Sequence, residues 1–273
     1  IRTAQRQHLS LSQYAYNIIE EDILAFMGED NKSGFINRII KNSLQTSDAS
    51  ISLAVKRQQE HLIEQISKEK YIKQNPFDIN MDFYKPSQFL TDSELETIRL
   101  FTEGYARNLK NNMTSYPKDI VLKIRLQNEL FDILYPEGET AWPEQDYYNS
   151  SRSDYIKALL EDYSRKPHYE RESIYFQEII DTLTTALDLA DSKKRILSLT
   201  YQTAKGIQIK FDVKPYKITT IAEANYHYLI GLSAPANSNK KDYQIALFRI
   251  ARIKSIKFLN GCNASPTTKS SVI

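Results

Sequence analysis

The feature that most constrains this chain is a change of hydrophobic period near residue 195. Before it, apolar residues recur every three or four positions, as on helices; from Arg195 onward they recur every second one. Leu197, Leu199 and Tyr201 alternate, and so do Ile207, Ile209, Phe211 and Val213, then Tyr226, Tyr228, Ile230 and Leu232. Ile245 and Leu247 follow, and Ile253 to Leu259 closes the region. Turn signals stand between the runs at Lys205-Gly206, Lys214-Pro215 and Ala234 to Lys241. Five short strands in about 65 residues predict a small β-barrel. Only 7 glycines in 273 residues predict long helices and few tight turns elsewhere. The expected class is therefore α+β, with the helices first and the sheet last.

The first fifty residues have an order of their own. Arg6 to Leu11 alternates like a short strand. Ser12 is placed to cap a helix whose stripe is Ala15, Ile18, Ile19, Ile23 and Phe26. Gly28 to Asn31 breaks the pattern, and Ser33 is expected to cap a second helix carrying Phe35, Ile36, Ile39, Ile40 and Leu44. A lone short strand leaves its edge unpaired. A symmetric dimer with two such strands antiparallel solves that economically. This unit resembles the ribbon-helix-helix family, whose paired ribbon enters the DNA major groove. The resemblance implies Arg6, His8 and Ser10 as outward ribbon residues. They touch DNA, lie on a ribbon that only dimerises, or belong to the end of a helix.

The next stretch reads as helices. Ser52 to Gln74 is a polar connecting helix ended by Asn75-Pro76. Thr91-Asp92-Ser93-Glu94 has the pattern of a capping box before Leu95, Ile98, Phe101, Tyr105 and Leu109. Asp119 to Leu134 is expected as an amphipathic helix stopped by Pro136, and Ser153 to Tyr163 and Glu172 to Leu189 as two more. The domain reading is 1–50, 51–112 for connecting helices, 113–192 for a helical middle, 193–260 for the β-module and 261–273 for a tail.

Charge is unevenly divided. Lys193 to Leu259 holds 13 basic against 3 acidic residues, a balance of +10, whereas Ile1 to Ser192 holds 22 against 31, a balance of −9. A basic module on an acidic body suits a polyanion. The plainer alternative is a solvated lysine-rich sheet surface. The 18 tyrosines supply flat amphipathic rings. Arg249 and Arg252 sit inside an apolar run and need counter-charges. These are either carboxylates such as Asp212 and Glu223, or phosphates from outside the chain.

The strand ending in Tyr201, the segment Phe211-Asp212-Val213-Lys214-Pro215-Tyr216-Lys217-Ile218, His227-Tyr228-Leu229 and Phe248-Arg249-Ile250-Ala251-Arg252-Ile253 together resemble the WYL domain, a small Sm-like or SH3-like barrel of bacterial regulators. His227 stands where that family has tryptophan. The resemblance implies a groove for nucleic acid or a small effector, lined by Tyr201, Tyr216, His227, Tyr228, Arg249 and Arg252, with Lys210 and Lys214 as phosphate aids. Tyr201, Tyr216 and Tyr228 also have a duller reading as core aromatics. The whole order, ribbon-helix-helix, helical middle and WYL barrel, is similar to the WYL accessory proteins of type VI-D CRISPR systems. Those are dimers that bind single-stranded RNA and stimulate an RNA-guided nuclease.

No catalytic or metal motif is legible. His8, His61, His168 and His227 are far apart and have no ligand-spaced partners, and no P-loop, Gly-x-Ser-x-Gly or dinucleotide fingerprint occurs. No cofactor is expected. One cysteine, Cys262, allows no internal disulfide, and no apolar run is long enough for a membrane helix, so a reducing bacterial cytoplasm is the expected location. The leading expectation is a non-enzymatic homodimer that binds single-stranded RNA and assists a CRISPR nuclease. The runner-up is a regulator that reads DNA with its ribbon and senses a small anionic ligand or nucleic acid with its barrel. A scaffold for an acidic protein is the third class.

Overall fold

Strand β1 (Arg6–Leu11) finds its partner within its own chain: it pairs antiparallel with β2 (Ile120–Arg125), from Arg6 opposite Arg125 to Leu11 opposite Ile120. This computed structural model describes residues 6–27, 31–44, 46–78, 81, 84–135, 142, 144–189, 196–221, 226–237 and 242–259. The tail 261–273 with Cys262, the Arg6 side chain and Glu223 lie outside the described residues. The chain divides into two units, residues 1–165 and 166–273.

In the first unit the order after β1 is α1 (Gln13–Asp22) with a π-helical turn at Ile23–Met27, α2 (Lys32–Ser43), α3 (Ile51–Gln74), α4 (Asp92–Thr114), β2, α5 (Asn128–Leu134) and α6 (Arg152–Arg165). Two expectations are corrected. The segment Asp119 to Leu134 is a strand followed by a short helix, because Leu122 and Ile124 are buried while Val121, Lys123 and Arg125 face solvent, the period of a strand. The cap of α2 is Asn31, whose side chain accepts from the Gly34 N–H, rather than Ser33. The strand–helix–helix order is present, and one edge of β1 is paired with β2 of the same chain in a two-stranded sheet.

Buried glutamates tie this unit together. Glu161 of α6 accepts from the Ser12 N–H at 2.6 Å and the Ser12 hydroxyl at 2.8 Å, where α1 begins. Glu144 accepts from the Ser50 hydroxyl at 2.8 Å, the Ile51 N–H at 3.0 Å and the Ser52 hydroxyl, so a carboxylate sits at the N-terminus of α3. That end of a helix has free N–H groups and the positive pole of its dipole. Leu9, Leu11, Phe35, Ile36, Ile39 and Ile40 pack with Ile156, Leu159, Leu160 and Tyr163 as the core. Asn37 closes the end of β2, donating to the Arg125 carbonyl at 2.8 Å and accepting from the Gln127 N–H at 2.9 Å.

Helices α3 and α4 pair along their length. The capping box at Thr91 and Glu94 forms as expected, and Lys70 of α3 joins it.

In the second unit, α7 (His168–Tyr175) and α8 (Gln177–Asp188) precede β3 (Leu197–Gln202), β4 (Gln208–Ile221), β5 (Tyr226–Pro235), β6 (Gln244–Arg249) and β7 (Ile253–Phe258). The expected single helical stretch from Glu172 to Leu189 is thus two helices, α7 ending in a turn at Phe176 before α8. The sheet is antiparallel in the order β6-β5-β4-β3-β7. Its two end strands are joined by one 3₁₀ turn, Ile250–Arg252. In a flat sheet four strand spacings would part them by about 19 Å. Four steps of 3₁₀ path cover only about 8 Å. The sheet therefore curls strongly. No ladder joins β6 to β7 among the described residues, so the expected barrel is an open, curled sheet. A bulge at Pro215/Lys217 bends β4. Opposite it stands Gly231, where an added Cβ would lie 2.7 Å from the Lys214 carbonyl oxygen.

Two outcomes follow for the first unit. Glu144→Ala leaves the buried donors at the start of α3 unmet and lowers the unfolding free energy by about 3 kcal/mol in urea titration, whereas a loss below about 0.5 kcal/mol contradicts the capping role. The Lys70 hydrogen bond, then the backbone and hydroxyl of Thr91, hold the Glu94 carboxyl at about 2 against an ordinary 4.5. A carboxyl lowered by folding stabilises above its unfolded value and loses that effect as pH falls through its folded one. Thermal scans between pH 4.5 and 2 accordingly decline more steeply for the wild type than for Glu94→Gln.

Candidate nucleic-acid interface

The start of β5, the end of β6 and helix α7 meet at one corner of the second unit. Register places Tyr228 opposite Arg249 and, on the other side, opposite Thr219. The Arg249 guanidinium carbon lies 3.5 Å from the centroid of the Tyr226 ring. Its Nε stands 3.6 Å from Glu172 Oε1. That separation is an ion pair and too long for a hydrogen bond. Both atoms are buried with no hydrogen-bond partner among the described residues. Glu172 is fully buried on α7, at 0% exposure, and its other oxygen accepts from the His227 N–H at 2.9 Å. His168 packs edge-on to Tyr226, and Tyr169 packs against His227.

Glu172, Ser173 and His227 bear a superficial likeness to a catalytic triad. The Ser173 hydroxyl lies 3.4 Å from Nδ1 and 3.2 Å from Nε2 of His227, nearly equidistant from both. A nucleophile and its base need one nitrogen addressed to the hydroxyl and the other held by the carboxylate. Here the Nδ1 to Glu172 distance is 3.6 Å. The cluster is a packed wall that supports β5, and His227 belongs to that wall.

The remaining residues lie elsewhere on the same unit. Tyr201 packs edge-on to Phe248, its ring centroid 5.2 Å away, and Phe248 packs against Phe211, so Tyr201 is part of the core's margin. Tyr216 falls in the β4 bulge and projects into solvent at 78% exposure. Lys214 lies opposite Leu232, with its ammonium 4.3 Å from the Tyr243 ring centroid. Lys210 is exposed on β4 opposite Thr200. Arg252 is half-buried at the end of the 3₁₀ turn, one turn beyond Arg249, and forms no ion pair with a described residue. Arg249 is thus anchored from within, whereas Lys210 and Tyr216 are exposed and Arg252 and Lys214 half-buried.

Three contributors were not legible in the sequence. Glu172 and Ser173 lie on α7, before the basic segment that begins at Lys193, and Tyr226 reads only as a strand residue. Asp212, the acid expected near the arginines, is buried on β4, and the carboxylate beside Arg249 is Glu172.

In the first unit, His8 and Ser10 face outward, as Leu9 and Leu11 are buried. Strand β2 adds exposed Lys123 beside His8 and Arg125 beside Arg6. Neither strand carries an acid. Lys123 and Arg125 went unrecognised because the segment read as a helix.

Among the described residues no group of three His, Cys, Asp or Glu could hold a metal ion, and no helix is long and apolar enough to cross a membrane.

Comparison with known proteins decides the second unit. Residues 179–258 match the model of the WYL domain. The chain carries a WYL domain. A solved structure of a CRISPR Cas-related protein is similar with a TM-score of 0.66 and 20% identity, over 94% of this chain and 64% of that one. The chain shares that fold across nearly its whole length while spanning less than two thirds of that longer chain. The proteasome accessory factor B/C of Arthrobacter aurescens matches at a TM-score of 0.25 and 14% identity, over 53% of this chain and 23% of that one. No curated protein matches the chain.

The WYL corner yields one outcome for stability. Arg249→Gln strands the buried Glu172 carboxylate and costs roughly 3 kcal/mol in denaturant titration. Glu172→Gln together with Arg249→Gln recovers part of that loss, and a strictly additive double variant refutes the pairing.

Proposed function

We propose that this WYL protein is a non-enzymatic nucleic-acid-binding protein whose WYL domain holds single-stranded RNA, and that it serves as an accessory factor of a CRISPR RNA-guided nuclease. The observation that carries the reading is the outward set on the curled sheet. Tyr216 projects from the β4 bulge, Lys210 is exposed and Arg252 half-exposed with no described ion-pair partner, and Lys214 stands over Tyr243. Exposed aromatics offer stacking platforms to unpaired bases, worth about 1–3 kcal/mol per base, and the cations track the phosphates. Arginine's planar fork suits phosphate. The fold shared with a CRISPR Cas-related protein supports the setting. The surplus of cations between Lys193 and Leu259 supports the polyanion.

Arg249 enters this reading as an organiser. It stacks on Tyr226 and neutralises Glu172, which fixes the corner from which Tyr228 and Arg252 are presented.

A second reading rests on a separate observation. The β1–β2 ribbon carries His8, Lys123 and Arg125 on one face with no acid on either strand, and a two-stranded ribbon fits the major groove of duplex DNA. Under that reading the protein is a regulator and the WYL domain receives the small anionic ligand.

A filter-binding panel of single-stranded RNA, single-stranded DNA and duplex DNA separates the two. The lead expects tightest binding to single-stranded RNA, with log affinity falling linearly in log salt by about 0.7 per phosphate contact. Arg252→Ala and Tyr216→Ala each weaken it about fivefold or more, roughly 1 kcal/mol, while Lys123→Ala leaves it unchanged. Preference for duplex DNA with loss on Lys123→Ala overturns the lead in favour of the regulator. Indifference to all three polymers at moderate salt overturns both.

A further inference from the structure

The outer face of the β5–β6 hairpin carries four aliphatic side chains in one block. Register sets Ile230 beside Leu247 and Leu232 beside Ile245. All four lie on the face opposite Leu229 and Phe248, which are buried inside the curl of the sheet. Ile245 is 83% exposed, Leu247 50% and Leu232 41%. Single apolar side chains on a surface are ordinary, whereas a contiguous block marks a contact site. Strand β6 ends the sheet and has no charge between Gln244 and Phe248, so the lysine or proline that usually guards such a strand is missing.

Cations border the block along β4. Lys214 lies beside Leu232, and Lys217 beside Ile230. Neither forms an ion pair with a described residue; the Lys214 ammonium rests over the Tyr243 ring and Lys217 is exposed. Neither β5 nor β6 carries an acid, Asp212 of β4 is buried, and the exposed Asp242 stands before β6 begins. A second copy of this face would set lysine against lysine. Aliphatic side chains give a nucleobase no ring to stack on. The segment 261–273 holds no acid that could answer the lysines.

Dimensions select the shape of the occupant. The two lysines stand two strand spacings in from β6, about 10 Å, so a strand added at the β6 edge does not reach them. An α-helix with its side chains is about 10 Å across and satisfies its own backbone, so one laid along the hairpin spans β6 to β4. Helical residues four apart are about 6 Å apart along the axis, close to the two-residue repeat of a strand at about 7 Å, so two such acids can face Lys214 and Lys217 in turn. From the aliphatic block, its open strand and the unpaired lysines on one flank we infer that this face docks an acidic amphipathic helix of a partner protein. The apolar stripe of that helix lies on Ile230, Leu232, Ile245 and Leu247, and its carboxylate flank lies along β4. The inference goes beyond the nucleic-acid reading and does not rest on it.

The test is fluorescence anisotropy of the full chain with labelled synthetic peptides held helical by lactam bridges. The wild type is expected to bind saturably a leucine-striped helix with one glutamate flank, more weakly as salt rises, and not a scrambled peptide of the same composition. Ile245→Ser with Leu247→Ser weakens that binding about tenfold or more. The thermal melt of the double variant is unchanged because both side chains are exposed, and so is its behaviour toward single-stranded RNA. Lys217→Glu weakens binding of the glutamate helix and strengthens binding of the same helix with lysine in place of glutamate. Absence of saturable binding, or equal binding of the scrambled peptide or by the double variant, overturns the proposal. So does tighter binding of an extended peptide of alternating valine and glutamate, which assigns the β6 edge to a strand. Loss of RNA binding in the double serine variant assigns the block to nucleic acid and likewise overturns it.

Discussion

A carboxylate taken out of water has to find hydrogen-bond donors or a cation, and three glutamates set in different parts of this chain impose that demand on segments far from them. Glu161 on α6 claims the backbone and hydroxyl of Ser12, which fixes where α1 starts. Glu144 claims the first residues of α3 and so sets the origin of the long helical hairpin. Glu172 on α7 claims the His227 N–H and faces Arg249, which fixes the corner of the sheet. Apolar packing is tolerant of small shifts, whereas a buried charge with directional donors is not. These three contacts therefore select one arrangement among the several that the apolar stripes alone would permit.

The change of period was legible because both halves obey it over many residues. The α-helices with a wide apolar stripe or a capping box, at Ser12, Thr91 and Arg152, came out close to their true bounds. The failure at Asp119–Leu134 has a physical cause. A six-residue strand followed by a seven-residue helix offers each period only one or two repeats, and Leu122, Ile124, Leu126, Leu130 and Leu134 mark a helical face almost as well as a strand and a helix in turn. Only knowledge that a solitary β1 needs a partner somewhere could have tipped the balance, and that need was assigned to a second chain.

The binding corner was legible in part. The run from Phe248 to Ile253 announced its arginines, but a strand pattern does not say which cation is anchored and which is presented. Arg249 and Arg252 differ because one sits at the end of a strand against α7 and the other at the end of a 3₁₀ turn. Glu172 could not be singled out, since nothing in its local sequence distinguishes it from the other acids on the surrounding helices.

The pairing of β1 with β2, and of Ser12 with Glu161, spans more than a hundred residues of chain. Loops of that length are slow to close. During synthesis at about 5–20 residues per second, the first strand waits on the order of ten to thirty seconds before the segment through α6 exists to receive it. The β1–α1–α2 segment, whose strand needs a partner, is thus a clasp on a later-made body. Anything that shelters the nascent β1–α2 segment during that interval acts on the yield of the whole unit.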